Sequence, residues 1–488
     1  MYFGYHEVGN MNRAIIRYFT FRIIQLEAVL LLVPCLVALI YQEPQGWYYL
    51  GTSIACGIVG TLGSMRKVEN DSFYAKESFV VVALCWIVIS AIGAVPFTLS
   101  GEIPNYLDAL FENVSGFTTT GASILTDVEA LSHTALFMRS FIHWVGGMGV
   151  LVLMLAILPR SSGNNMYLMR AESPGPSVGK LVPQIRKTAG LLYKIYIVIT
   201  VFEIGALIWS KMPVFDAVTI SVATTGTGGF AILNSSIGAY TIAQQNIITV
   251  FMFVSGVNFS FYYFLLFRKV KNAAVMEEVR WYLGIFVGSV VLICANAYHS
   301  FDGMRECVHH VAFTVSSILT STGFATVDYT KWPEFSQTLL VFLMLIGACA
   351  GSTGGGMKVS RWVLMFKAVR NEISYLIHPR RVRQVRMDGH VVPKETMKSL
   401  YSYVLVYFFI FAGSVIVIAI DNYGFDTNFS AVAACLNNIG PGIGEVGPSG
   451  NYSGFSNVSK IVLMLDMLAG RLELFPLLML IAPTTWRR

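Results

Sequence analysis

Charge is what this sequence lacks most. Only 13% of its 488 residues are Asp, Glu, Lys or Arg, while 55% are hydrophobic. An ordinary soluble domain carries about 25% charged residues. There is too little polar surface here to cover a core, which excludes a soluble globular protein and leaves a polytopic membrane protein. Cysteine is sparse too. The seven, Cys35, Cys56, Cys85, Cys294, Cys307, Cys349 and Cys435, show no CxxC pairing, and most sit in apolar runs. That argues against a disulfide framework or a zinc site. Enzyme signatures are missing: there is no HExxH, no Asp pair inside the apolar runs and no Ser/His pairing. No nucleotide-binding fingerprint occurs, so nucleotide control would have to come from a partner. No nucleic-acid partner is expected. The first residues lack a short apolar stretch ending in a small-residue cleavage site, and the first apolar run reads as a retained span.

Long apolar runs are what the chain does have. Runs of spanning length, roughly 20 residues each, lie near 23–42, 47–65, 77–99, 134–158, 189–210, 243–267, 281–299, 336–357, 399–420 and 458–482. With a cytoplasmic N-terminus, 28 of the 34 basic residues fall on the inside, among them Arg13, Arg66, Arg160 to Lys194, Arg268 to Arg280 and Lys358 to Lys398. Five fall outside (Arg139, Lys211, Arg305, Lys331 and Lys460), and Arg471 is left alone within a span. This asymmetry places both termini in the cytoplasm. The outside loops carry Glu102, Asp108, Glu112, Asp127, Glu129, Asp302, Glu306, Asp328, Glu334, Asp421, Asp426 and Glu445. An acidic rim would concentrate cations at an opening; ordinary solvated loops would look the same.

Four shorter segments resemble one another: LDALFENVSGFTTTGAS, FDAVTISVATTGTGGFA, HHVAFTVSSILTSTGFA and FSAVAACLNNIGPGIG. They superpose Gly121, Gly229, Gly323 and Gly440, at separations of 108, 94 and 117 residues. The unit is span, short segment, span, four times over. Asp108 and Asp216 lie 13 residues before their glycines and Asp426 lies 14 before, with His310 at the third place. An Asp there is expected to cap a half-crossing helix, whose partly negative C-terminal end would face the membrane middle. Each short segment leads into a tetrapeptide ending in glycine: Thr118-Thr119-Thr120-Gly121, Gly226-Thr227-Gly228-Gly229, Thr320-Ser321-Thr322-Gly323 and Asn437-Asn438-Ile439-Gly440. A cation filter needs backbone carbonyls turned toward one axis to replace the hydration shell of the ion. Glycine permits the dihedrals and the close approach. One such tetrapeptide would be a weak signal, but four in register, each between two spans, is a strong one.

These residues, with GACAGSTGGGMKVSRW (Gly347 to Trp362), resemble the superfamily of bacterial potassium transporters that includes TrkH and KtrB, most of all its TrkH branch. The resemblance covers essentially the whole chain. It implies an all-α polytopic membrane protein of about ten transmembrane helices. Four pseudo-repeats of span, pore helix and span would surround one pore: 71–185, 186–275, 276–390 (with a broken second span) and 391–488, after an extra pair of spans in 1–70. The function implied is K⁺ (and Rb⁺) uptake across the bacterial inner membrane through a selective, channel-like pore. Carbonyls of Thr119, Thr120, Thr227, Gly228, Ser321, Thr322, Asn438 and Ile439 would hold the ion. It further implies a homodimer and a cytosolic TrkA-like ring, on which NAD and ATP or ADP would bind. A Na⁺- or H⁺-coupled symporter is the alternative, with Glu203 as the carboxylate to test. A membrane-embedded enzyme or a scaffold is more remote.

Two gate candidates stand out. Gly347, Gly351, Ser352, Thr353, Gly354, Gly355 and Gly356, followed by Lys358, interrupt an apolar run. Each glycine costs a helix about 1 kcal/mol relative to Ala, so the span should break, and broken backbone at membrane depth must face a cavity. Met357 separates the last glycine from Lys358 and no Lys-Ser/Thr pair follows, which excludes a phosphate-binding loop. By resemblance this loop sits under the filter and obstructs it. Arg471 is the second candidate, since a cation beneath a cation filter repels the permeant ion; a structural salt bridge to Glu473 or to another helix would be the alternative. Glu27, Glu203 and His143 read as interhelical hydrogen-bond partners. Gly146-Gly147-Met148-Gly149 and Ser255-Gly256-Val257-Asn258 suit close packing or a pore lining. The basic stretches Arg160 to Lys187 and Arg380 to Arg386 suit either a docking ring or anionic lipid.

Overall fold

The computed structural model describes residues 11–65, 75–149, 185–379 and 384–486. Both termini, the stretch from Arg160 to Lys180, the side chains of Arg186 and Lys187, and Arg380 to Arg383 lie outside the described residues. Helix dominates the described residues. Their one strand pairing is a hairpin that joins Arg386 with Val391 and Met387 with His390. Its turn is Asp388-Gly389, both at positive φ (52° and 79°), the dipeptide a tight two-residue hairpin prefers.

Five described helices are long and apolar enough to cross a membrane: Arg13–Tyr41, Lys76–Leu99, Gly190–Trp209, Glu277–Ser300 and Lys394–Asp421. Lys394–Ile418 shows why. Its inward face buries Tyr403, Tyr407, Phe411 and Ile418, and its outward face exposes Leu405, Phe408, Phe409 and Ile416. A helix apolar on both faces belongs in hydrocarbon.

Of the remaining apolar runs, one is a single helix and the others break or leave the described residues. Run 47–65 forms Gly46–Ser64. Run 134–158 forms His133–Gly147 and then leaves the described residues. Run 243–267 splits into Ile242–Ser255 and Phe259–Leu266, bent by 92°. Run 336–357 stops at Ile346, and helix resumes only at Val359–Ile377. Run 458–482 splits into Asn457–Arg471 and Phe475–Ile481. The expected break in the third repeat is therefore shared by the second and fourth, which were expected to be continuous. Gly256 to Asn258 breaks one. Glu473 and Leu474 (φ 61° and 65°) break the other without any glycine.

The repeats pack in a circle. Repeats one and four share one core, where Phe111 and Phe117 meet Val432, Leu463 and Met467, and the N-terminal helix adds Ile15, Phe19 and Ile23 to it. Phe313 and Phe324 of repeat three complete the core of repeat two. Ile439 of repeat four enters that of repeat three.

Candidate ion pore

The four short segments are helices, Tyr106–Phe117, Val214–Thr225, Met304–Leu319 and Phe425–Leu436, each ending one residue before its tetrapeptide. The acidic residues do not cap them as expected. The N-caps are Asn105, Pro213, Gly303 and Gly424, while Asp108, Asp216, Glu306 and Asp426 sit within the first turn. They still oppose the positive end of the helix dipole. His310 lies in mid-helix, because the third short helix begins earlier than the others.

Every short helix ends in the same cap. The third tetrapeptide N–H reaches five residues back: Thr120 to Ser115 (2.8 Å), Gly228 to Ala223 (3.0 Å), Thr322 to Ser317 (2.8 Å) and Ile439 to Ala434 (2.9 Å). The second reaches three back, at 3.1, 2.9, 3.1 and 3.2 Å. This is the Schellman pattern, whose left-handed residue is usually glycine. Here that residue is Thr119, Thr227, Ser321 or Asn438, at φ 57°, 53°, 57° and 54°. A β-branched residue in that region is an outlier, held only where its surroundings over-determine it. The terminal glycines are also at positive φ (78°, 81°, 84° and 97°), whereas the first and third residues are not. Such alternation of hand lets successive carbonyls turn to one side instead of alternating as in a strand.

The fourth tetrapeptide differs most in sequence, yet keeps this backbone. Asn437 Nδ2 donates to Ala433 O at 2.7 Å, as the hydroxyls of Thr118 and Thr320 donate to Val114 O (2.6 Å) and Ser316 O (2.7 Å). An amide replaces a hydroxyl in one and the same i−4 bond.

Between repeats, each terminal glycine abuts the third carbonyl of the next tetrapeptide. A Cβ on Gly121 would lie 2.0 Å from Gly228 O, on Gly229 1.8 Å from Thr322 O, on Gly323 2.1 Å from Ile439 O, and on Gly440 2.6 Å from Thr120 O. The order runs one to two, two to three, three to four and four back to one, so the tetrapeptides close a ring.

Outside the ring lies a cavity of about 180 Å³ touching all four glycines. Its lining includes Arg139 and Asn234, and Asn234 in turn donates to Asp127 and Glu129, two of the acidic residues of the outside loops. Glu112 is instead buried in a pair with Arg139 (Nε to Oε1, 2.8 Å) and accepts from Ser123 Oγ and Ile124 N. Arg139 also donates to Ala231 O at 3.2 Å and lies over the Phe230 ring at 4.1 Å. Asp108 pairs with Lys460.

On the opposite side, the loop of residues 347–358 presses on the first tetrapeptide residues. Gly356 N donates to Asn437 O at 2.9 Å, and Gly355 N donates to Ser321 Oγ. A Cβ on Gly355 would lie 2.2 Å from Asn437 O, and one on Gly354 2.7 Å from Thr320 O. Gly347, Gly351 and Gly356 are at positive φ. Ser352 Oγ donates to Cys349 O, and Thr353 Oγ1 to Ser255 O. Lys358 Nζ, buried, donates back to Gly354 O and Gly355 O. Arg471 donates to Thr353 O (3.0 Å), to Gly147 O (2.6 Å) and to Gly146 O. It does not pair with Glu473, which is held by Arg361.

Of the other intramembrane groups, His143 is an interhelical brace: Nδ1 meets Gly116 O at 2.7 Å and Nε2 accepts from Phe230 N at 3.2 Å. Glu27 is buried without a hydrogen-bond partner among the described residues, contrary to its expected role. Glu203, in helix Gly190–Trp209, is likewise fully buried without a hydrogen-bond partner among the described residues, contrary to its expected role. Gly146 and Gly147 allow close approach to Phe117 O and Gly226 Cα. The Arg139–Glu112 pair was not foreseen as a buried site, although an Arg inside an apolar run was its visible signal.

The cation transport protein model of the TrkH family matches residues 49–487. The Trk system potassium uptake protein TrkH of Salmonella typhimurium is 37% identical over 466 residues, 94% of this chain and 96% of that protein. TrkG of Escherichia coli K12, another Trk system potassium uptake protein, is 31% identical over 471 residues, 95% of this chain and 97% of its own. The crystal structure of the potassium transporter TrkH from Vibrio parahaemolyticus superposes with a TM-score of 0.87 at 32% identity, covering 98% of this chain and all of that one. The chain belongs to the TrkH family of cation transport proteins.

Proposed function

We propose that this chain is the ion-conducting subunit of a potassium uptake system in a bacterial inner membrane, with a K⁺-selective, channel-like pore. One observation carries the reading: the closed ring of four glycines, each seated on the neighbouring repeat's carbonyl. In it, the carbonyls of Thr119, Thr120, Thr227, Gly228, Ser321, Thr322, Asn438 and Ile439 replace water around a dehydrated K⁺ or Rb⁺. The C-terminal ends of the four short helices add their partial negative charge. The loop 347–358 lies across the inner end as the gate, and Arg471 tethers it. Uptake is regulated from the cytosol by a TrkA-like ring that carries the NAD and ATP or ADP sites, and the chain works as a homodimer.

A side chain at a terminal glycine meets a neighbouring carbonyl, at 2.0 Å for Gly121 and 2.1 Å for Gly323, which must shift to restore ordinary contact. ⁸⁶Rb⁺ uptake into liposomes, with K⁺, Na⁺ and Li⁺ as competitors, tests this. Wild type is expected to be inhibited by K⁺ and much less by Na⁺. Gly121→Ser and Gly323→Ser are expected to lose at least a factor of about ten in K⁺-over-Na⁺ preference, or about 1.4 kcal/mol. Equal competition by Na⁺ and K⁺ in the wild type would sink the reading.

A further inference from the structure

The helix after the gate loop, Val359–Ile377, begins without a cap of its own. Lys358 precedes it at φ 79° and makes no side-chain cap bond. Its first turn is met from another helix instead: Ser360 N donates to Glu278 Oε1 at 3.0 Å. The same oxygen accepts from Ala350 N at 2.6 Å, on the opposite limb of the loop. Glu278 is 5% exposed, so this carboxylate oxygen has exchanged water for those two N–H groups. Its neighbour Glu277 pairs with Lys367 of the helix after the loop. Glu277 N donates to Asp388 Oδ1 at 2.7 Å, and Lys367 Nζ donates to Arg386 O at 2.8 Å. The hairpin Arg386–Val391 is thereby fastened to the base of both helices. A cavity of about 760 Å³, lined among others by Asn258, Glu278, Ala350, Ser360, Asp388 and His390, lies against the same point. Released loop backbone has room there.

We propose that Glu278 is the positioning residue that latches the gate loop shut, one carboxylate oxygen pinning both limbs, with the hairpin fastened to the neighbouring residue. The inference rests on the loop being the gate. Charge-assisted bonds of this kind are stronger than neutral ones. The loss of both leaves two buried N–H groups unsatisfied, which favours a displaced loop. Glu278→Gln keeps an oxygen in place without the charge and weakens the latch; Glu278→Ala removes it.

The loop carries its own reporter, since Cys349 is buried with a free thiol. Full-length protein in liposomes is treated with N-ethylmaleimide, and modification of Cys349 is followed by mass spectrometry beside ⁸⁶Rb⁺ flux. In Glu278→Ala, Cys349 is expected to react at least about ten-fold faster than in wild type, with flux raised by a similar factor. Glu278→Gln should fall between wild type and Glu278→Ala in both. Protection of Cys349 in Glu278→Ala, or equal behaviour of the Ala and Gln variants, overturns the latch. A chain lacking residues 351–354 separates the two readings. If Cys349 is released in Glu278→Ala but neither variant raises flux, the latch stands and the gate reading falls. If only the shortened loop raises flux and Cys349 stays protected in Glu278→Ala, the gate stands and the latch falls.

Discussion

A guanidinium at membrane depth needs acceptors, and Arg471 finds three of them on backbone carbonyls: Thr353 of the loop 347–358, and Gly146 and Gly147 of helix His133–Gly147. The bare sequence shows the cost of this residue, because an arginine midway along a largely apolar run is conspicuous. It does not show the matching groups, since carbonyls are everywhere and leave no signature. The nearest carboxylate in sequence, Glu473, goes to Arg361, 112 positions away. Arg471→Ala frees the loop from the first repeat and removes the charged donor from Thr353 O, Gly146 O and Gly147 O. A hydrogen bond to a charged group is worth about 1.5–3 kcal/mol, so the closed loop loses enough to raise ⁸⁶Rb⁺ flux about ten-fold or more. Arg471→Lys keeps the charge but not the fork that spans both partners, and should fall between. Flux in Arg471→Ala equal to wild type would remove the arginine from the gating account.

At the scale of elements, helix ends were harder to read than helix existence. The short helices and the glycine-rich break announced themselves by periodicity and by composition. The break at Glu473 and Leu474 did not, because nothing in their identity demands a left-handed backbone. Caps supplied from afar are equally silent. Helix His133–Gly147 starts on Ser132, whose hydroxyl caps Ala135 N, but its first two N–H groups are taken by Glu43, 90 residues earlier. His133 N and Thr134 N each donate to that carboxylate at 2.9 Å, and Thr134 Oγ1 donates at 2.6 Å. Partial burial pushes the Glu43 carboxyl up, but these bonds, with that from the His133 ring, outweigh it and hold it below its ordinary value. A carboxyl depressed in the folded state stabilises above the unfolded value, about 4.3, and that stability is lost as pH falls through the lower folded value. Glu43→Gln is therefore expected to lower the thermal midpoint at pH 7, with the gap to wild type closing below about pH 4. Midpoints in detergent across that range check it, and a gap that persists undiminished at pH 3 would assign the effect to packing.

For the whole molecule, the glycine register was legible because each repeat repeats the same local chemistry, but the closure of the circle was not. It depends on pairs with no common spacing, made where the chain's last repeat meets its first. Asn438 Nδ2 donates to Thr120 Oγ1 at 3.0 Å, Tyr452 N to Ser123 O at 2.9 Å, and Lys460 Nζ to Asp108 Oδ1 at 2.7 Å. The ion pair is the one of these that a substitution can isolate. Lys460 is 7% exposed at the side chain and Asp108 23%. It thus falls between a surface pair, worth up to about 1 kcal/mol, and a buried one, whose breakage costs about 3–5 kcal/mol. Asp108→Asn leaves a largely buried ammonium without its counter-charge and should cost about 1–3 kcal/mol. Lys460→Met should cost less, because Asp108 is better hydrated and remains near its helix N-terminus. If this seam closes the ring, the double variant recovers part of the sum, with a coupling of about 1 kcal/mol or more in unfolding measurements. Strict additivity would mean that repeats one and four are held together by their shared apolar core alone.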